Sequence, residues 1–335
     1  MKWYKEYGPI VGFTIMGQKQ VLISDEKMLR DLFARRGDIY SDRGRVPAIN
    51  IIARGVATFL LDKNDTWRRQ RKAMGIAFSL ADGGKFESFT DIESKYTLKD
   101  IVENPQDFDD HFARYAFSVV TRSSIGHFTR NIQDPYYLRV QQENAFIVNC
   151  FRPDKYLCNL APFLLKLPEW LWKEGAVLNR FADNMWRTQL DEQAKMRQRM
   201  EDGTAPECFQ TRFLANQHEW DLSDLEGVGI FSAFVGGGTR SPHNVMLSLT
   251  LCMLEHPDWL EKLQKHVDDV VGDRLPEFSD MPTLPMVRAA AMETLRYRTV
   301  HADISVPHKL AQDDIYEGYF FEKGTLVHAN LGAMS

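Results

Sequence analysis

Residues 256–300 read HPDWLEKLQKHVDDVVGDRLPEFSDMPTLPMVRAAAMETLRYRTV. Two helices are legible in this stretch. DWLEKLQKHVDDVVG has a clean amphipathic spacing, and TLPMVRAAAMETLRYR has another. On the second, Glu293 and Arg296 stand three residues apart and share a face, so they can bond locally. A surface ion pair is the plain reading of that spacing. The apolar surroundings, AAAMETLRY, argue for burial instead. A buried carboxylate–guanidinium pair must then be satisfied by further partners, and the planar fork of Arg can bond two ways at once.

Upstream, residues 222–257 (LSDLEGVGIFSAFVGGGTRSPHNVMLSLTLCMLEHP) are apolar on most faces and are expected to be buried along their length. Gly236, Gly237 and Gly238 interrupt them, and Pro242 follows. Three glycines are costly inside a helix. They fit a packing notch, a kink, or a flat object lying close to the backbone. Downstream, Val306 to Ala329 turns strand-like, with Lys323-Gly324 as a turn before TLVHANL.

Working toward the N-terminus, residues 167–203 read as one long amphipathic helix that begins after Pro168. DFDDHFARYAFSVVTRSSIG has helical spacing and ends at a glycine. NDTWRRQRKAMGIAF is a further helix, with Asp65 or Thr66 as its cap. EKMLRDLFARRG follows a cap at Ser24 or Asp25 and ends at Gly37. GPIVGFTIMGQKQVLISD alternates as a two-strand hairpin. The reading is a mainly α protein with a small β-sheet built from sequence-distant ends, one domain over residues 1–335.

Composition bounds the function. The chain has 335 residues, 44% hydrophobic and 26% charged, with net charge -5, so a large core is possible. Charges are mixed rather than blocked, which argues against a nucleic-acid or anionic-membrane footprint. The four cysteines, Cys150, Cys158, Cys208 and Cys252, form no CxxC pair and no disulfide framework. The nine histidines show no close metal-ligand spacing. No apolar run reaches a membrane span, and the first residues lack a signal-peptide pattern. The chain as written is expected to be cytoplasmic. Phosphate-loop, HExxH, GxSxG and GxGxxG signatures are absent.

Two further features carry chemistry. Trp67 and Arg71 in WRRQR lie at i and i+4 and point to one side. Arg71 could neutralise an anion to which the Trp67 indole N–H also donates. A core Trp beside a solvated Arg is the bland alternative. Pro307 and His308 precede the terminal strands, where a satisfied structural His is the bland reading.

Taken together, the order and spacing of these features resemble the cytochrome P450 family in its fungal form, across essentially the whole chain. DTWRRQRKAMGIAFS looks like the family's C-helix, FVGGGT its central I-helix, residues 256–300 its J-to-K segment with Glu293 and Arg296 as the ExxR pair, and VPHKLAQDDIYEGYFFEKGTLVHAN the strands that follow. The resemblance implies a heme b cofactor. It implies that Trp67, Arg71 and His308 hold heme propionates and that Gly236 and Gly237 face the heme. Thr239 then matches the proton-delivery threonine, and Glu293 and Arg296 are structural, seating the heme-binding loop. A small hydrophobic substrate, met around Ile49 to Phe59 and Phe231 to Thr239, and a reductase partner are implied as well.

Three departures shape the expectation. The family's Phe-x-x-Gly-x-Arg-x-Cys-x-Gly loop, whose thiolate tunes the iron, would lie beyond this chain, and no cysteine here takes its place. Gly238 stands where the acidic partner of Thr239 is found. The N-terminal anchor that holds relatives at the endoplasmic reticulum membrane is absent. The fold is therefore expected to be an incomplete P450 fold, a truncated and catalytically inactive relative of a heme-thiolate monooxygenase of secondary metabolism. Apolar core left exposed would lower solubility or recruit a covering partner. The alternatives are a piece of an active monooxygenase, or a non-catalytic helical protein binding a partner or a hydrophobic ligand.

Overall fold

The computed structural model describes residues 2–15, 17–79, 85–152, 154–168, 170–299 and 306–334. Its strands are β1 (Ile10–Ile15), β2 (Gln18–Ile23), β3 (Asp42–Arg43), β4 (His308–Lys309), β5 (Asp314–Tyr316), β6 (Tyr319–Phe321) and β7 (Leu326–Ala329). β1 and β2 make the expected antiparallel hairpin, with Ile10 opposite Ile23. β7 then lies parallel to β2, with Val21 opposite Val327, so the two ends of the chain share one sheet. The sheet order is β1-β2-β7-β4-β3, and β5-β6 is a separate hairpin. Ile23, Leu32, Tyr40, Leu310 and Val327 are buried at its centre. The buried Tyr40 hydroxyl donates to Asp314 at 2.9 Å, and Arg36 donates to the same carboxylate at 2.7 Å. These bonds tie the β5-β6 hairpin to the helical segment before β3.

The helices are α1 (Lys2–Tyr7), α2 (Glu26–Leu29), α3 (Gly37–Tyr40), α4 (Pro47–Ala53), α5 (Asp65–Ser79), α6 (Lys85–Glu103), α7 (Phe108–Ile125), α8 (Pro135–Cys150), α9 (Lys173–Glu201), α10 (Phe209–Asn216), α11 (Asp224–Glu255), α12 (Pro257–Val271) and α13 (Pro285–Tyr297). α11 runs through the middle, packed along α7 and touching α5, α9, α12 and α13. No helix among the described residues is long and apolar enough to cross a membrane.

Several boundaries differ from expectation for local reasons. Asp25 is the cap, accepting from the Met28 N–H at 2.9 Å. The helix then widens into a π-helical stretch, Arg30–Arg35, and restarts at Gly37, which therefore begins a helix instead of ending one. α5 is capped by Asn64, whose Oδ1 accepts from the Trp67 N–H at 2.8 Å, and not by Asp65 or Thr66. α7 does stop at Gly126, in the left-handed conformation (φ 67) that glycine adopts without strain.

α11 is continuous over 32 residues, through the glycine run and Pro242. Ser223 and Glu226 start it with a capping box. Pro242 removes one ladder hydrogen bond, toward the Gly238 carbonyl, without ending the helix. The burial expected along its length holds mainly for the first half, with Cys252 the buried residue of the second. Ile230, Phe231, Val235 and Thr239 are buried, whereas Leu254 is 72% exposed. α13 buries only Thr294 and presents Met292 and Leu295 outward.

One charge cluster fixes α6 to α7. Glu93 is fully buried and accepts from Arg114 at 2.9 Å and Arg122 at 3.1 Å. Arg114 also donates to Thr97 at 2.7 Å and approaches Asp100 at 3.3 Å. This pairing is what lets ionised groups sit in the interior.

Candidate functional site

A cavity of about 1530 Å³ opens between α4, α5, α8, α9 and α11. Small-molecule sites commonly run about 300–1,000 Å³, so this one has room for a large flat group and a second molecule beside it. Trp67, Arg71, His308, Gly236, Gly237 and Gly238 all line it. The two segments expected at the substrate, around Ile49 to Phe59 and Phe231 to Thr239, contribute lining residues as well, though Thr239 itself does not.

Trp67 and Arg71 come from successive turns of α5, with the guanidinium 5.9 Å from the indole ring centre. Gln70, flanking them on α5, is fully buried. Its amide donates to the Val56 carbonyl at 3.0 Å and its oxygen accepts from Thr58 at 2.6 Å. That anchoring turns Trp67 and Arg71 toward the cavity.

His308 arrives from β4, directly opposite Arg43 of β3. Sequence reasoning missed Arg43, because nothing in SDRGR distinguishes one arginine from the next until the sheet forms. It lines the cavity and donates to the Val306 carbonyl at 3.1 Å. Asp62 couples the sheet to the segment before α5. It accepts the Arg43 backbone N–H at 3.0 Å and the Lys309 ammonium at 2.8 Å. Among the described residues, neither Arg43, Arg71 nor His308 meets a carboxylate, although all three face one cavity.

His308 is stacked on Phe33 with ring centres 4.3 Å apart. Its Nδ1–H donates to the Tyr40 carbonyl at 2.5 Å. Burial, with Arg43 adding repulsion, pushes its pKa down to about 4. At neutral pH it is an uncharged imidazole whose Nε2 offers a lone pair.

The glycine run divides into two roles. A methyl group at Gly238 would come within 2.9 Å of Val120, so this residue is the packing notch. At Gly237 it would meet nothing within 4 Å, and at Gly236 only the Asn144 side-chain oxygen at 3.4 Å. Bare backbone is thus presented to the cavity at Gly236 and Gly237. Two turns earlier on α11, a methyl at Gly229 would strike the Val56 carbonyl at 2.8 Å, so glycine there lets α11 lie against the segment after α4.

Thr239 is placed differently from the residues around it. It is buried and is not part of the cavity lining, and its hydroxyl donates to the Val235 carbonyl of its own helix. Glu293 and Arg296 are outside the cavity too. They bond bidentately at 2.9 and 2.5 Å, but they are 61% and 56% exposed, so the expected burial of this pair is corrected. Their apolar neighbours on α13 face outward beside them.

None of the four cysteines lines the cavity, and all are buried and unpaired. Burial pushes the Cys150 thiol up to about 12 and the Cys158 thiol up to about 11. These are inert thiols and not thiolate ligands. No cluster of metal-ligating side chains occurs among the described residues.

The chemistry that fits is a flat dianion. Four cationic or N–H-bearing side chains, Arg43, Trp67, Arg71 and His308, line it without a carboxylate partner among the described residues, and backbone open for close approach stands at Gly236 and Gly237. Heme, with two carboxylates and a planar face, matches both features. Ile49, Phe59, Trp186 and Phe231 among the other lining residues suit an apolar ligand.

Comparison with known proteins points the same way. The cytochrome P450 family model matches residues 1–335. The chain is 39% identical over 332 residues to the cytochrome P450 monooxygenase psoD of Aspergillus fumigatus, covering 98% of this chain and 63% of that protein. It is 26% identical to the cytochrome P450 monooxygenase virE of Hypocrea virens, covering 99% of this chain and 61% of virE. A zebra fish cytochrome P450 solved with progesterone superposes with a TM-score of 0.82 at 20% identity, covering 99% of this chain and 78% of the other. The last likeness concerns the fold. The chain spans about 63% of the length of the psoD relative.

Proposed function

The chain belongs to the cytochrome P450 family, and from that premise we propose that residues 1–335 form the heme cradle and substrate cavity of a monooxygenase acting on a small hydrophobic metabolite. The carrying observation is the meeting of Trp67, Arg71, His308 and Arg43 beside a cavity whose α11 wall includes open glycine backbone at Gly236 and Gly237.

Heme, when bound, supplies the activation of dioxygen. The chain's own residues supply the rest. Arg71 and Arg43 neutralise the propionates, the Trp67 indole N–H donates to one of them, and His308 binds another in its protonated form. Gly236 and Gly237 admit the flat face. Ile49, Phe59, Trp186 and Phe231 hold an apolar ligand and exclude water. Proton delivery by Thr239 requires its hydroxyl to leave the Val235 carbonyl, a rotation about χ1. Gly238 supplies no acid to assist it. Glu293 and Arg296 act as a structural pair on α13. The family implies a reductase partner that supplies electrons.

No cysteine of these residues reaches the cavity, so we propose that the segment binds heme without a thiolate ligand and does not activate oxygen by itself. Titrating hemin into the purified chain tests this. Saturable one-to-one binding is expected, with a ferrous–CO spectrum lacking the red-shifted band of thiolate-ligated heme. Absence of saturable binding refutes the cradle, and a thiolate-type band refutes the missing ligand.

A further inference from the structure

One part of the cavity wall is polar, and the heme cradle does not use it. Glu143 and Asn144 of α8, Gln189 of α9 and Ser232 of α11 all line the cavity. Ser232 and Gly236 are one turn apart on the same face of α11. Asn144 reaches the Gly236 position, and Gln189 is hydrogen-bonded to Ser232. The four side chains therefore form a contiguous patch beside the Gly236–Gly237 face.

Two members of the patch are incompletely satisfied. Glu143 is only 14% exposed at its side chain, yet its nearest donors are distant. The Gln189 amide is 3.5 Å away and the Arg139 guanidinium 3.8 Å. Good hydrogen bonds to oxygen lie at about 2.7–3.2 Å. A terminal nitrogen of Arg139 is paired with Glu192 at 2.7 Å, and its Nε, the atom nearest Glu143, is buried without a hydrogen-bond partner. Burial raises the Glu143 pKa against the pull of Arg139, as expected of a carboxyl short of donors. The Asn144 amide nitrogen is buried with no hydrogen-bond partner. A half-turn of that amide exchanges its oxygen and nitrogen. Since the nitrogen loses no bond in doing so, the amide can offer an N–H to the cavity.

We propose that Glu143 and Asn144, backed by Gln189 and Ser232, form a polar subsite for a secondary amide on an otherwise apolar substrate. Glu143 accepts the ligand N–H and Asn144 donates to the ligand carbonyl. Because the patch adjoins Gly236 and Gly237, it fixes which end of the substrate lies over the heme face. This last consequence rests on the heme reading, whereas the binding step does not.

Binding can be measured by calorimetry on the chain of residues 1–335, with N-cyclohexylbenzamide as the probe. Cyclohexyl benzoate, which lacks the N–H, and N-cyclohexyl-N-methylbenzamide serve as matched controls. The amide is expected to bind about tenfold tighter than either control, the worth of one hydrogen bond to a buried charged or polar partner. Glu143→Met and Asn144→Leu, which keep side-chain volume, are each expected to erase that preference while leaving the thermal unfolding transition in place. Equal affinities, no measurable binding of the amide, or a preference that survives both variants overturns the subsite. Hemin titration of the same preparation separates the two readings. Hemin uptake without amide preference sinks the subsite alone, and amide preference without hemin uptake sinks the cradle alone.

Discussion

Gly238 of α11 lies directly against Val120 of α7, so closely that a methyl group added at Gly238 would come 2.9 Å from a Val120 methyl. Val is stiff at χ1 and cannot swing away cheaply. The position where the family resemblance calls for an acid is thus closed by a neighbouring side chain. One residue earlier, Gly237 has nothing within 4 Å of the same virtual methyl. Gly238→Ala is expected to lower stability by about 1 kcal/mol, overpacking exceeding the gain in helix propensity. Gly237→Ala is expected to raise stability by roughly 0.5–1 kcal/mol while weakening hemin binding. Denaturant unfolding and hemin titration of the two variants check the contrast.

Glu93 is fully buried between Arg114 and Arg122. Removing the carboxylate leaves Arg114, itself 3% exposed, without its closest counter-charge. Glu93→Ala is therefore expected to cost about 3–5 kcal/mol of stability, read from urea unfolding. Replacing Glu103, in an exposed pair with Lys99, should change the midpoint hardly at all.

The Glu293–Arg296 pair makes the opposite case. Its geometry is bidentate, but both side chains are more than half exposed. Exposed pairs contribute about 0–1 kcal/mol. Glu293→Ala is expected to shift the unfolding free energy of this chain by less than about 1 kcal/mol. A loss above about 2 kcal/mol would show that the pair behaves as a buried one.

That contrast marks what the sequence could and could not tell. Periodicity placed α7, α11, α12 and α13, and alternation with a glycine turn placed the β1-β2 hairpin, since both signals are local. Trp67 and Arg71 were legible because i and i+4 share a helix face. Burial of Glu293 was misread because apolar neighbours in sequence do not say which face a helix buries, and α13 turns Met292 and Leu295 outward. Arg43 was missed because its importance depends on β3 pairing with β4, a contact between residues far apart in the chain. Glu143, Asn144 and Gln189 were missed for the same reason, since three helices must meet before the patch exists. The glycine run was seen, but its division into a notch and an open face needed Val120.

Hemin affinity should depend on Arg43 as much as on Arg71. Both cations face the cavity without an internal carboxylate among the described residues. A hydrogen bond to a charged group is worth about 1.5–3 kcal/mol. Arg43→Gln and Arg71→Gln are each expected to weaken hemin binding by roughly ten- to a hundredfold, and Trp67→Phe by less. Asp62→Ala, which releases Arg43 and Lys309, should weaken binding without touching the heme. Unchanged affinity in Arg43→Gln would remove that residue from the cradle.

His308 gives two pH dependences of opposite direction. Burial and Arg43 hold its folded pKa near about 4, against an ordinary value of 6.5. As pH falls below 6.5, the unfolded chain takes up a proton before the folded one does. The contribution of His308 to stability is therefore complete above pH 6.5 and is lost as pH falls toward 4, by at most about 1.4 kcal/mol per pH unit. His308→Phe is expected to flatten that part of the stability profile. Hemin reverses the sign. The Nδ1–H is engaged with the Tyr40 carbonyl, so Nε2 can donate to a propionate only after gaining a proton, and the propionate's charge favours that form. Hemin binding is then accompanied by proton uptake at neutral pH, and its affinity falls as pH rises. Calorimetry in buffers of different ionisation enthalpy counts the proton directly. Uptake in the parent chain that disappears in His308→Phe supports this coupling. Equal heats in all buffers would mean that His308 stays neutral and that Arg43 and Arg71 hold the propionates without it.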